Sequence, residues 1–163
     1  MVTYKALPWK SKTKSGVHTM IRIFIAEDDE DDLELFKSAM KEIDPDAEIV
    51  AAADGICLFE NLETETPPLP DIIFLDINMP KMNGYECLTK IRKLPALKDI
   101  PVVILSTSTV KKDVDFMWEE GANCYIKKPN TIGEFRKVLK SVIDEPCPVH
   151  KRTKELFLVM PEV

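Results

Sequence analysis

The chain has 163 residues, a formal net charge of −6 and 45% hydrophobic residues, which suits one domain with a sizeable core and short extensions. No stretch approaches the ~20 consecutive apolar residues of a membrane-spanning helix, and no basic face dominates that would favour nucleic acid. The four cysteines, Cys57, Cys87, Cys124 and Cys147, form no C-x-x-C pair, and His18 and His150 stand alone; neither a zinc site nor a Ser-His-Asp arrangement is expected.

Residues 1–20 are polar and basic, lack the apolar run of a signal peptide, and are expected to be a flexible extension. Ile21–Ala26 (IRIFIA) reads as a buried strand. The run that follows, Glu27 to Asp32, is acidic at every position, a crowding of like charge that needs either solvent or a cation. Asp31–Ile43 has Leu33, Phe36, Met40 and Ile43 at helical spacing and stops at Asp44-Pro45-Asp46. Ala47–Ala53 is a second strand, Asp54-Gly55 a turn, and Ile56–Leu62 a second helix. A proline-rich loop, Glu63–Pro70, leads to the apolar strand Asp71–Asp76.

After the loop NMPKMNG, Tyr85–Leu94 is a helix with Leu88 and Ile91 inward, and Pro101–Ser106 is a fourth apolar strand. The helix Lys111–Glu120 is closed by Gly121. Asn123–Lys128 is a fifth strand and Thr131–Ile143 the last helix. The strands are continuous apolar runs, as in a parallel sheet buried on both faces. With right-handed crossovers, this alternation gives a doubly wound α/β sandwich. Residues 144–163 form a C-terminal tail, too short for a helix-turn-helix domain. Its apolar LFLVM segment either packs back on the domain or adds to a neighbour's sheet.

In open parallel sheets, functional groups gather past the carboxyl ends of the strands. Here those ends carry Glu27, Asp28 and Asp29, then Asp76 with Asn78 two residues on, then Ser106 and Thr107, then Lys128 before Pro129; the second strand offers only Asp54. Carboxylates at one point require a compensating cation, and Mg²⁺, which takes oxygen ligands, fits them. Lys128 suits a carboxylate or an added phosphoryl group, and a hydroxyl suits the same group. No Gly-rich phosphate loop is present.

The strand-end residues, with LDINMPKMNG, PVVILSTS and YIKKP, resemble the receiver domain of two-component response regulators over about residues 21–143, in a single-domain form. The resemblance implies a flavodoxin-like fold: a five-stranded parallel sheet in the order 2-1-3-4-5 with helices on both faces. It implies that Asp76 is the phosphoacceptor, forming an acyl phosphate. It further implies that Glu27, Asp28, Asp76 and the backbone carbonyl of Asn78 hold Mg²⁺, that Ser106 and Lys128 bind the phosphoryl group, and that Ser106 and Tyr125 form a switch. Asn78 and Ser108 fall where the family tunes acyl-phosphate lifetime. Such a chain assists its own phosphorylation and dephosphorylation without being an enzyme.

Other readings stand beside these. Asp29 is a metal neighbour or part of a solvated turn, while Asp31 and Asp32 belong at a helix start, where the dipole favours acids. Lys127 competes with Lys128 and Thr107 with Ser106, and Tyr125 is also readable as a core aromatic with a wet hydroxyl. A haloacid-dehalogenase-type phosphohydrolase would want an acid where Asn78 stands; a phosphorylation-independent pseudo-receiver scaffold is the other alternative. The implied partners are a histidine kinase or His-containing phosphotransfer protein and a downstream protein target, with a homodimer open and with no direct nucleic acid or membrane contact. Asn130 after Lys-Pro and the long proline loop depart from the common pattern and bear on the partner surface. Reduced thiols in a cytoplasmic protein complete the expectation.

Overall fold

A computed structural model describes residues 20–64, 68–143 and 152–162. The readings made for residues 1–19, for His18, His150 and Cys147, and for the centre of the proline loop lie outside the described residues. The elements in chain order are β1 (Arg22–Ala26), α1 (Glu30–Ile43), β2 (Glu48–Ala52), α2 (Gly55–Glu63), β3 (Ile72–Asp76), α3 (Gly84–Lys93), β4 (Val102–Ser106), α4 (Lys111–Glu119), β5 (Cys124–Lys127), α5 (Ile132–Ile143), α6 (Lys154–Phe157) and β6 (Leu158–Val159). The strands lie in the order β2-β1-β3-β4-β5-β6, and every neighbouring pair is parallel.

The expected five-stranded order is present, with one strand more. β6 comes from the segment read as a tail: Leu158 and Val159 pair with Tyr125 and Ile126 of β5. The sequence left open whether LFLVM packs back or joins a neighbour's sheet; here it extends the chain's own sheet. Two paired residues are too short to give a periodic signal, and what holds them is the side chain just before. Phe157 is buried, edge-on to Trp118 of α4 at 5.3 Å and to Tyr125 at 6.2 Å. Arg152 reinforces this by donating to the Ala122 carbonyl at 2.9 Å and lying over the Trp118 ring at 3.9 Å.

Strand alternation sorts the core into two layers. Ile23, Ile25, Phe74, Val103, Leu105 and Ile126 face α1 and α5, meeting Phe36, Met40, Phe135 and Leu139. Phe24, Ile73, Leu75, Ile104 and Tyr125 face the other way, against α2, α3 and α4. In the first layer Phe36 sits edge-on to Phe74 at 4.9 Å and to Phe135 at 5.9 Å. Each such buried side chain contributes about 2–3 kcal/mol of transfer free energy. Among the described cysteines, Cys57 is half-buried and Cys87 and Cys124 are buried. No described helix is long and apolar enough to cross a membrane.

Helix starts aim the strand-end loops. Asp29 caps α1 by accepting from the Asp32 N–H, and Asp54 caps α2 by accepting from the Cys57 N–H. The residues read as a turn at Asp54-Gly55 are therefore a cap and a first helical residue. Asn83 and Glu86 form a reciprocal capping box at α3. Gly84, the next residue, has no room for a side chain: an added Cβ would stand 2.5 Å from the Asp76 carbonyl oxygen and 2.8 Å from the Ile77 Cα. This close approach, with the Gly84 N–H donating to the Ile77 carbonyl at 2.9 Å, docks α3 directly beneath the end of β3.

Candidate functional site

Each strand that carries a candidate residue is fixed at its end by a backbone bond to its neighbour. The Glu27 N–H donates to the Ala52 carbonyl at 3.0 Å, and the Lys128 N–H to the Ser106 carbonyl at 2.8 Å. The register pairs Ala26 with Leu75, Asp76 with Leu105, and Ser106 with Lys127. Parallel pairing in that register brings Glu27, Asp76, Ser106 and Lys128 to one edge of the sheet.

There the carboxylates of Glu27, Asp28 and Asp76 each offer an oxygen within 4.8 Å of the others. Glu27 and Asp76 are buried, and Asp28 is exposed. The Lys128 ammonium reaches Glu27 Oε2 at 2.7 Å, Asp32 Oδ2 at 2.9 Å and Asp76 Oδ1 at 3.3 Å. Glu27 is held at its other oxygen as well, by the Asp29 N–H at 3.2 Å. One ammonium thus faces a group of carboxylates that outnumbers it.

The titration of these groups reflects that imbalance. Burial and then the Glu27 charge push Asp76 up to about 7, against the pull of Lys128. Burial also raises Glu27, although Lys128 opposes it. For Lys128, burial works against the charge, yet Glu27, Asp32 and Asp76 outweigh it and hold the ammonium above its ordinary value. A divalent cation suits this donor set on chemical grounds: every donor is a hard carboxylate oxygen, and the negative charge exceeds what Lys128 neutralises. The residues present therefore fit the Mg²⁺ that the sequence pattern implies.

Ser106 is buried at the end of β4, and its Oγ accepts from the Ser108 N–H at 3.1 Å. Thr107, its rival in sequence, faces solvent. Tyr125 is fully buried; its hydroxyl donates to the Ser108 carbonyl at 2.7 Å, and burial raises its pKa. The loop after β4 is thus bonded to both Ser106 and Tyr125. Of the two lysines, Lys128 meets the carboxylates, while Lys127 ends β5 and makes none of these contacts. Asn78 is exposed in the loop two residues beyond Asp76.

Three acids do more, or other, than their sequence readings. Asp29 is the cap of α1 and is not among the three clustered carboxylates. Asp32 lies in the first turn of α1, as expected, but its side chain also binds Lys128, 96 residues away. The available signal was its position at the third residue of a helix that begins at the end of β1. Asp54, read as a turn residue and as the one group the second strand offers at its end, is buried, and its Oδ2 accepts from Lys81 at 3.0 Å. Lys81 itself has φ 63°, a left-handed conformation uncommon for a residue with a side chain, in the loop between Asp76 and α3.

Comparison with known proteins identifies the family and the fold. The family model of the response regulator receiver domain matches residues 23–140. Response regulator Rcp1 of Synechocystis sp. is 35% identical over 124 residues, covering 74% of this chain and 84% of Rcp1. The match to the probable methanogenesis regulatory protein FilR2 of Methanothrix harundinacea, 32% identical, covers 45% of this chain and 48% of FilR2. The crystal structure of the phosphorylated cyanobacterial phytochrome response regulator RcpA superposes with a TM-score of 0.69 at 32% identity, over 76% of this chain and 94% of RcpA. The Mn²⁺-bound form of Rcp1 superposes with a TM-score of 0.68 at 34% identity, over 75% and 91%.

Proposed function

The chain belongs to the response regulator receiver domain family, and from that premise we propose that Asp76 accepts a phosphoryl group in a Mg²⁺-dependent reaction. Domains of this family transduce signals in two-component phosphorelays and are not enzymes in the ordinary sense. The observation that supports the specific reading is the meeting of the Glu27, Asp28 and Asp76 carboxylates within 4.8 Å, with Lys128 at 3.3 Å from Asp76. RcpA occurs in a phosphorylated form and Rcp1 with Mn²⁺ bound; the same chemistry suits the donors here.

In this reading an Asp76 oxygen attacks the phosphorus of a phosphohistidine on a histidine kinase or phosphotransfer protein. The P–N bond breaks, the leaving nitrogen keeps the electron pair and takes a proton from solvent, and an acyl phosphate remains. Glu27, Asp28, Asp76 and the Asn78 carbonyl would hold Mg²⁺, which would supply charge neutralisation and orientation of the phosphoryl oxygens. The Lys128 ammonium stabilises the same charge from the β5 side, and the Ser106 hydroxyl donates to a phosphoryl oxygen. Turning Ser106 toward that oxygen ends its bond from the Ser108 N–H, and the Ser108 carbonyl holds the Tyr125 hydroxyl. Ser106 and Tyr125 therefore form the switch that carries the change to a downstream protein or a second copy of the chain.

The test is to weigh the intact protein after incubation with a small acyl- or amido-phosphate donor, with and without Mg²⁺. Gain of one phosphoryl group only with Mg²⁺, and none in Asp76→Asn, is the expected result. Modification that survives in Asp76→Asn would overturn the assignment of the acceptor. No modification by either the small donor or a phosphorylated histidine protein would favour a scaffold that works without phosphate.

A further inference from the structure

The Lys128 ammonium has three N–H donors and three carboxylate partners, and the shortest two are not the acceptor: Glu27 at 2.7 Å and Asp32 at 2.9 Å, against 3.3 Å for Asp76. Glu27 is also one of the three carboxylates whose oxygens lie within 4.8 Å of one another. Once its charge is shared with a metal ion, its hold on Lys128 weakens. Asp32 stands apart from that group, so its hold does not. Its place is set by backbone: it lies in the first turn of α1, where its own N–H donates to the cap Asp29 Oδ1 at 2.9 Å. The Lys128 backbone is equally fixed, through its N–H bond to the Ser106 carbonyl. The ammonium thus hangs between two rigid supports, the exit of β5 and the first turn of α1.

We propose that Asp32 is a positioning residue for phosphoryl transfer: it tethers the Lys128 ammonium beside Asp76 when Glu27 is engaged by the metal ion. This rests on the reading of Asp76 as phosphoacceptor. Freed of Asp32, the flexible lysine stem samples other rotamers, and fewer molecules hold the ammonium where phosphoryl charge develops. The opposite sign has a physical basis too: Asp32 is an anion near an anionic donor, and its removal would then speed the reaction. The two are separable because repulsion acts without Lys128, whereas a tether needs it.

The experiment is a double-mutant cycle on the Mg²⁺-dependent phosphorylation rate, using wild type, Asp32→Asn, Lys128→Ala and the double variant with a small amidophosphate donor. The tether predicts a loss of about fivefold for Asp32→Asn in the wild-type background and none in the Lys128→Ala background. The saturated rate should fall, with little change in the Mg²⁺ concentration at half-maximum. A faster Asp32→Asn, or an equal effect in both backgrounds, overturns the proposal. A second readout needs neither metal nor phosphate: pulse labelling of metal-free Glu27→Gln protein, in which the shortest ion pair of Lys128 is gone, with an amine-reactive ester, read by peptide mass. Lys128 labelling should rise when Asp32→Asn is added in that background while Lys127 labelling stays constant; unchanged Lys128 labelling refutes the tether. If the wild type takes up no phosphoryl group, the proposed function has failed, and the labelling still decides whether Asp32 holds Lys128.

Discussion

Replacing Asp76 by Asn removes the most strained charge of the site, and its effect on stability has a definite sign and pH window. Asp76 is raised from an ordinary 3.8 to about 7 by burial and by Glu27. A carboxyl whose native pKa is raised binds more protons folded than unfolded between those two values. Its contribution to stability is therefore fully present below 3.8 and is lost as pH rises through 7. The gap converts to an upper limit of about 4 kcal/mol. Half of that, about 2 kcal/mol, is the expected effect, because Lys128 relaxes toward whichever carboxylate is ionised. Asp76→Asn mimics the protonated form at every pH. In chelator-containing buffer the variant should be about 2 kcal/mol more stable than wild type above pH 7.5, and the difference should vanish near pH 4. Urea unfolding followed by far-UV circular dichroism measures this. Mg²⁺ should narrow the gap by stabilising only the wild type. A variant less stable than wild type at pH 7.5, or a difference that does not change with pH, would refute the account of Asp76 as a buried carboxylate under net repulsion.

The other expectations concern metal binding and packing. Asp28→Ala removes one of the three clustered oxygens at an exposed position, so calorimetric Mg²⁺ affinity should fall at least about tenfold with little change in melting temperature; unchanged affinity would remove Asp28 from the metal site. Phe157→Ala deletes the ring buried between Trp118 and Tyr125. It should cost about 3 kcal/mol in urea unfolding and shift Trp118 emission to the red; a loss below about 1 kcal/mol would mean that the β6 segment leaves the sheet at little cost. Arg92 donates to the carbonyls of Gly121, Lys98 and Ile100 and to Asn123 Oδ1. Arg92→Ala removes all four bonds, leaving Asn123 Oδ1 with the Val102 N–H at 3.0 Å, and should destabilise by about 2–4 kcal/mol, measured the same way.

How much of this the sequence conveys depends on the range of the interaction. The five long strands are legible because each is a run of apolar residues longer than any turn, and the helices because Leu33, Phe36 and Met40 or Leu88 and Ile91 repeat at helical spacing. Topology then gathers the strand ends, which is why Glu27, Asp28, Asp29, Asp76, Ser106, Thr107 and Lys128 are candidates before any coordinates; choosing among them took the resemblance to receiver domains. β6 is not legible: its pairing is two residues long, and its cause is the seat of Phe157 against two aromatics from α4 and β5. That is a tertiary fact without local periodicity.

Asp32 shows the same limit within the site. Local reasoning places it at the start of α1, where the helix dipole and the Asp29 cap account for an acid, and that account is correct as far as it goes. It is incomplete because the first turn of α1 is also the wall of the carboxylate cluster. An acid on the inward side of that turn serves the helix through its backbone and Lys128 through its carboxylate. Asp29, three residues earlier, spends its side chain on the helix instead, accepting the Asp32 N–H. The difference between the two is one of direction around the helix axis, fixed only once β1 and β5 have set where the lysine lies. Six consecutive acids are thus tolerated because they divide their tasks: Glu27 and Asp28 join the carboxylate cluster with Asp76, Asp29 caps, Glu30 and Asp31 face solvent, and Asp32 turns back to the lysine.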